Sequence, residues 1–110
     1  MQVKTVSRPQ PLVATLTDLS ISGGLITADS EFARPGETIA IAFSFRVKPT
    51  NQEMHIQAHA TVRSCQRLHG NLPDRQFGTI TFSHGIGIHF EDIAPKDLVM
   101  LQHYIYEQVI

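Results

Sequence analysis

Gly85-Ile-Gly-Ile-His-Phe90-Glu-Asp-Ile-Ala-Pro95-Lys-Asp-Leu98-Val-Met-Leu101-Gln-His-Tyr-Ile105-Tyr-Glu-Gln-Val109 contains the single change of period in this chain. Up to Phe90 the stretch reads as strand. Beyond Pro95, Leu98, Leu101, Ile105 and Val109 recur at three- and four-residue spacing, so one helical face is apolar. Proline suits the first helical position, and Asp97 in the first turn complements the positive end of the helix dipole. The spacing predicts a helix from about Pro95 to Gln108.

Working outward towards the N-terminus, strand signals dominate. Ile39, Ile41, Phe43 and Phe45 alternate with small or polar residues, the clearest strand of the sequence. Arg34-Pro35-Gly36-Glu37 before it reads as a type II turn, with proline at the second position and glycine at the third. The polar stretch Lys48 to Glu53 joins that strand to Ile56, Ala58, Ala60 and Val62, again at period two, which predicts an antiparallel hairpin. His69 to Asp74 reads as a loop, and Phe77 to Phe82 and Gly85 to Phe90 as two further strand segments. Near the start, Val3, Thr5 and Ser7 form a short strand ended by Pro9 and Pro11, and Leu12 to Leu16 form another. Gly23-Gly24 interrupts Ile21 to Thr27, where a sharp turn or left-handed backbone is expected.

Six or seven strands followed by one amphipathic helix predict a mainly β fold, a small antiparallel β-barrel with the C-terminal helix packed across one opening. Closure removes the exposed edges of so β-rich a chain. A length of 110 residues fits a single domain over 1–110. The net charge of −1 supplies no general attraction to nucleic acid or acidic membranes, so any anionic ligand needs a local site. Cys65 stands alone, which rules out an internal disulfide and suits the cytoplasm. Neither a signal peptide nor an apolar run of membrane-spanning length is present, so no membrane insertion is expected.

Asp18-Leu-Ser20-Ile-Ser-Gly23-Gly24 is the stretch with the most chemistry. It sets an acceptor, a hydroxyl and two glycines at a strand-to-turn junction. Glycines allow backbone N–H groups to face a ligand closely, and such concavities favour anions. A carboxylate at Asp18 suits paired N–H donors, including a guanine edge. Plain turns use the same residue types, so these residues alone leave both readings open.

This stretch resembles the signature of the PilZ domain, the bacterial receptor module for cyclic di-GMP: Asp or Asn, any residue, Ser, two of any kind, then Gly, often doubled. Pro35-Gly36-Glu37 is similar to the family's Pro-Gly turn, Gly85 to Phe90 to its last barrel strand, and Asp97 to Glu107 to its closing helix. The likeness runs in order over roughly residues 12 to 107. It implies that Asp18, Ser20, Gly23 and Gly24 contact guanine and backbone of cyclic di-GMP, with Gly87 keeping the facing strand open. It also implies a signalling module that breaks no bond in the nucleotide, carries no cofactor and acts on a motility, exopolysaccharide or other protein effector. A homodimer is compatible with that reading. The family's second motif, two arginines four apart upstream of the first strand, is not well matched. Lys4 and Arg8 have the spacing, but Arg8 lies ten residues before Asp18, too close for a full first strand between them. The alternative is a degenerate PilZ-like adaptor acting only through protein–protein contacts.

Other chemistries find less support in the residues. His55 and His59, on one face of a strand, would stand about 13 Å apart, too far for one metal ion. His84 and His89 fall on opposite faces. Ser20 lacks a nucleophile elbow, Glu91-Asp92 reads as the charged lead into a helix, and Cys65 as a small buried side chain. Tyr104 and Tyr106 read as half-buried helix positions. Arg63, Arg67 and Arg75 read as a solvated hairpin rim without the stacking aromatics that nucleic acid binding needs. No enzyme activity, metal or nucleic acid is therefore expected.

Overall fold

Six antiparallel strands close on themselves in a computed structural model that describes residues 2–5, 13–48, 50–74 and 78–109. They are β1 (Gln2–Thr5), β2 (Val13–Thr17), β3 (Gly23–Ala28), β4 (Thr38–Val47), β5 (Gln52–Asp74) and β6 (Gly78–Asp92), followed by helix α1 (Pro95–Val109). The order around the barrel is β1-β2-β3-β6-β5-β4, and β4 returns to β1 with Val3 opposite Phe43. The alternation seen in the sequence is the physical cause. Ile39, Ile41, Phe43, Phe45 and Val47 of β4 all point inward and are buried, and β5 answers with Ile56, Ala58, Ala60 and Val62. Ile26, Ile41, Ile56 and Ile86, from four different strands, are fully buried at the barrel's centre.

The turns follow the expected chemistry where one glycine is decisive. Gly36 has φ of 93°, and the Glu37 N–H donates to the Arg34 carbonyl at 3.1 Å, closing the type II turn. Gly36 N–H and Val62 N–H then staple that turn to β5 through the carbonyls of Val62 and Glu37, each at 2.8 Å. β4 and β5 form the predicted hairpin, with Val47 opposite Gln52. Helix α1 begins at Pro95, and the Ala94 carbonyl accepts from Asp97 and Leu98 at 2.9 Å. It packs against β4, where the Tyr104 and Phe45 rings approach to 4.7 Å, and Leu101 enters the core with no exposed surface.

Three expectations are corrected. His69–Asp74 is not a loop but the continuation of β5, paired from Gly70 opposite Phe82 to Asp74 opposite Gly78. The two expected strand segments from Phe77 to Phe90 are one strand, β6, unbroken from Gly78 onwards; Phe77 lies outside the described residues, as do Ser7, Pro9, Pro11 and Leu12. Gly23 and Gly24 make no left-handed turn. They open β3 in extended form, and the left-handed residue of this region is Asp18, with φ of 49°. The reason for the glycines is space. A Cβ on Gly23 would collide with the Ile88 carbonyl oxygen, and one on Gly24 would stand 3.0 Å from Leu16 Cδ1.

Candidate functional site

The candidate site grows from the five residues between β2 and β3. Asp18 leaves β2 in the left-handed region, which Asp tolerates better than most side chains, and remains exposed. Leu19 turns in against the core, while Ile21 at the tip is 49% exposed. Ser20 organises the bend. Its N–H donates to the Gly23 carbonyl at 2.8 Å, its Oγ stands 3.3 Å from the same oxygen and 3.0 Å from Ser22 Oγ, and it accepts from Ser22 N–H at 3.3 Å. The bend is tied to the end of β6 by Phe90 N–H donating to the Ser22 carbonyl at 2.8 Å. Ser22 was not singled out in the sequence. The Ser-x-Ser spacing was the signal, because two hydroxyls two apart across a bend come within hydrogen-bonding reach of each other.

The structure therefore brings Asp18, Ser20, Gly23 and Gly24 together, with Gly23 opposite His89 and Gly24 opposite Ile88. Gly87 lies further along β6, between Leu25 of β3 and Ser64 of β5. A Cβ there would meet Ser64 Oγ at 2.6 Å, so the space over Gly87 is held by a small, movable hydroxyl. Gly85, two residues earlier, is overlaid by Leu68 and Leu25, which would stand 3.2 and 3.4 Å from an added Cβ. The face beside the bend is thus a glycine-floored surface of β3, β6 and β5. Two concavities lie elsewhere. A groove of about 420 Å³ runs over β1, β4 and β5 past Lys4, Ser44, His55 and Gln57, and a smaller one of about 280 Å³ lies on α1 between Val99 and Tyr106.

Among the described residues, cations are spread rather than gathered. Lys4 is an exposed position inside β1, opposite Ala42, and Arg8 lies outside the described residues. The strand between Arg8 and Asp18 is the second, β2, while Lys4 lies within the first strand and not upstream of it. Arg63 and Arg67 also stand four apart, a spacing that puts both side chains on one face of a regular strand. A register shift between Val62 and Ser64 breaks that rule, leaving Arg63 as the extra residue beside Glu91, 3.8 Å away. Ser64 then follows opposite Gly87 on the outer face and Arg67 opposite His84 on the other. Arg75 lies outside the described residues.

The remaining candidates have structural partners. His59 Nδ1 is 3.5 Å from Asp92 and His55 Nε2 is 4.0 Å from Glu53, all on exposed strand positions. Cys65 is half-buried against the core; burial pushes its thiol above the ordinary value of 9.0, and the nearby Glu31 carboxylate adds to this by charge and hydrogen bonding. Its thiolate fraction at neutral pH is correspondingly low. Tyr104 is half-buried as expected, whereas Tyr106 is 69% exposed, since the turn of the helix carries it away from β4.

The fold has a clear match among solved structures. The Bacillus subtilis inhibitor of motility (MotI/DgrA) aligns over 98% of this chain with a TM-score of 0.66 and 18% identity, and the chain spans 46% of that protein. At this identity the likeness is one of fold. No family model and no curated protein matches the sequence. None of the helices among the described residues is long and apolar enough to cross a membrane.

Proposed function

We propose that this chain is a PilZ-type regulatory domain that binds cyclic di-GMP beside the Asp18–Gly24 bend and passes that state to a protein effector in the cytoplasm. The supporting observation is the bend itself: Ser20 fixes its shape, Phe90 anchors it to β6, and the Asp18 carboxylate is left exposed at its start. A carboxylate held in that way suits the paired donors of a guanine edge, and no bond in the nucleotide need be broken. Similarity in fold to an inhibitor of motility agrees with a regulatory role.

Affinity is expected to be weak. Each charge-assisted arginine contact contributes about 1.5–3 kcal/mol, so lacking two of them costs about 3–6 kcal/mol, a hundredfold or more in affinity. The scattering of cations among the described residues favours a second reading, an adaptor that works through protein contacts alone.

Calorimetry separates the two. The first reading predicts weak cyclic di-GMP binding that tightens about a hundredfold when an Arg-x-x-x-Arg segment is joined ahead of Met1, and that is lost in Asp18→Gly/Ser20→Ala. Absence of binding even with the added arginines leaves the adaptor. Sub-micromolar binding indifferent to the double substitution removes the site from the Asp18 bend.

A further inference from the structure

β5 and β6 outrun the barrel. The last residue of β3 to pair with β6 is Ala28, opposite His84, and the last of β5 to pair with β4 is Thr61, opposite Thr38. Beyond those points Gly70–Asp74 and Gly78–Phe82 continue as a two-stranded arm. Among the described residues no strand pairs with either of its edges.

The two edges differ in kind. The β5 edge carries Arg67, His69, Pro73 and Asp74, and proline and charge are the devices that keep a free edge from pairing. The β6 edge reads Gly78-Thr-Ile-Thr-Phe-Ser83, with high β propensity, no charge and no proline. Thr79 and Thr81 on it are exposed. An isolated two-stranded ribbon is marginally stable in water, and further strands are what stabilise it.

We propose that the β6 edge at Gly78–Ser83 is a self-association site, pairing antiparallel with the same edge of a second copy across a twofold axis. The occupant follows from the chemistry of the edge. An uncharged strand presents nothing that repels its own copy. Pairing centred on Thr81 sets Thr81 opposite Thr81, and Thr79 opposite Ser83, in a hydroxyl row of the kind that favours cross-strand contact. The same operator turns two marginal arms into one four-stranded sheet, and the contact closes at two copies because it is isologous. With no described strand beside it, the arm lets two copies meet along its β6 edge. This site is independent of the nucleotide reading, since it involves neither Asp18 nor Ser20.

Sedimentation equilibrium of the full chain from low to high micromolar concentration tests it. The expected result is a rise in mass from one chain to two, abolished by Thr79→Lys/Thr81→Lys and by Thr81→Pro, with far-UV circular dichroism unchanged. Should the proline variant fail to fold, the lysine pair at exposed positions decides. A wild-type chain that stays monomeric throughout would overturn the proposal. So would a dimer that survives the lysine pair, or one abolished instead by Val99→Ser/Tyr106→Ser on the exposed face of α1.

Discussion

Asp18 sits at φ of 49°, where an L side chain other than glycine bears a cost of about 1–2 kcal/mol. Asp18→Gly should therefore hold or raise stability while Asp18→Ala lowers it, because the left-handed region tolerates Asp better than alanine and glycine best of all. Denaturant midpoints of the two variants check this, and they explain why glycine is the better probe of ligand binding. Gly23→Ala should lower stability by about 1–3 kcal/mol or more, since the added methyl must displace the Ile88 backbone of β6 and not a movable side-chain tip. Cys65 should react with a thiol reagent more slowly than a free cysteine at pH 8. The rate should still be rising with pH where that of a free cysteine has levelled off, and Glu31→Gln should speed it, because a neutral amide no longer disfavours the thiolate. If Glu31→Gln leaves the rate profile unmoved, the carboxylate does not influence the thiol. The composition of the bend was legible in the sequence, but its conformation was not. Glycine there reads as a licence for positive φ, whereas Gly23 answers to the close approach of β6, a neighbour more than sixty residues away in sequence.

The helix was the most legible element. Leu98, Leu101 and Ile105 at helical spacing, with Pro95 and Asp97 at the start, can form one apolar face only as a helix. Leu101 is fully buried and Ile105 half-buried, so Leu101→Ala should cost about 2–5 kcal/mol and Ile105→Ala less. Equal shifts in denaturant midpoint for the two would mean that the helix docks through a different face. The outer part of the β5–β6 hairpin was the least legible element, for physical reasons that its residues show. Gly70, Asn71, Pro73 and Asp74 are all turn formers by local preference. Pairing with β6 overrides that preference, and Gly70 serves the pairing by leaving room for the Phe82 ring, which an added Cβ would meet at 2.6 Å. Pro73 is tolerated because it lies at an edge. The register shifts at His59, Arg63 and Arg67 are silent in a pattern of alternation, since a bulge shows only when the facing strand is known. That silence also hid the parting of Arg63 from Arg67 onto different faces. The ion pair between Arg63 and Glu91 is long and exposed, so Arg63→Ala should change stability by less than about 1 kcal/mol.

At the scale of the molecule, closure rests on the shortest strand. β1 has four residues, yet it fills the seam between β2 and β4, pairing Val3 with Ala14 on one side and Phe43 on the other. Its two inward side chains, Val3 and Thr5, are each only 1% exposed. Removing β1 exposes two strand edges at once and uncovers the core facing Phe43. The remaining five strands then form an open sheet whose free edges compete for other partners. A chain shortened to begin at Ser7 should consequently melt at a markedly lower temperature, bind a hydrophobic dye before melting and aggregate at concentrations where the full chain is clear. The less drastic Val3→Asp should act in the same direction, because it buries an unpaired carboxylate at the seam. Thermal unfolding followed by circular dichroism, with dye fluorescence alongside, reads both variants. If the shortened chain melts at the same temperature and with the same cooperativity as the full one, β1 contributes no closure. The barrel would then have to be stable as a five-stranded sheet held shut by β4, β5 and the helix.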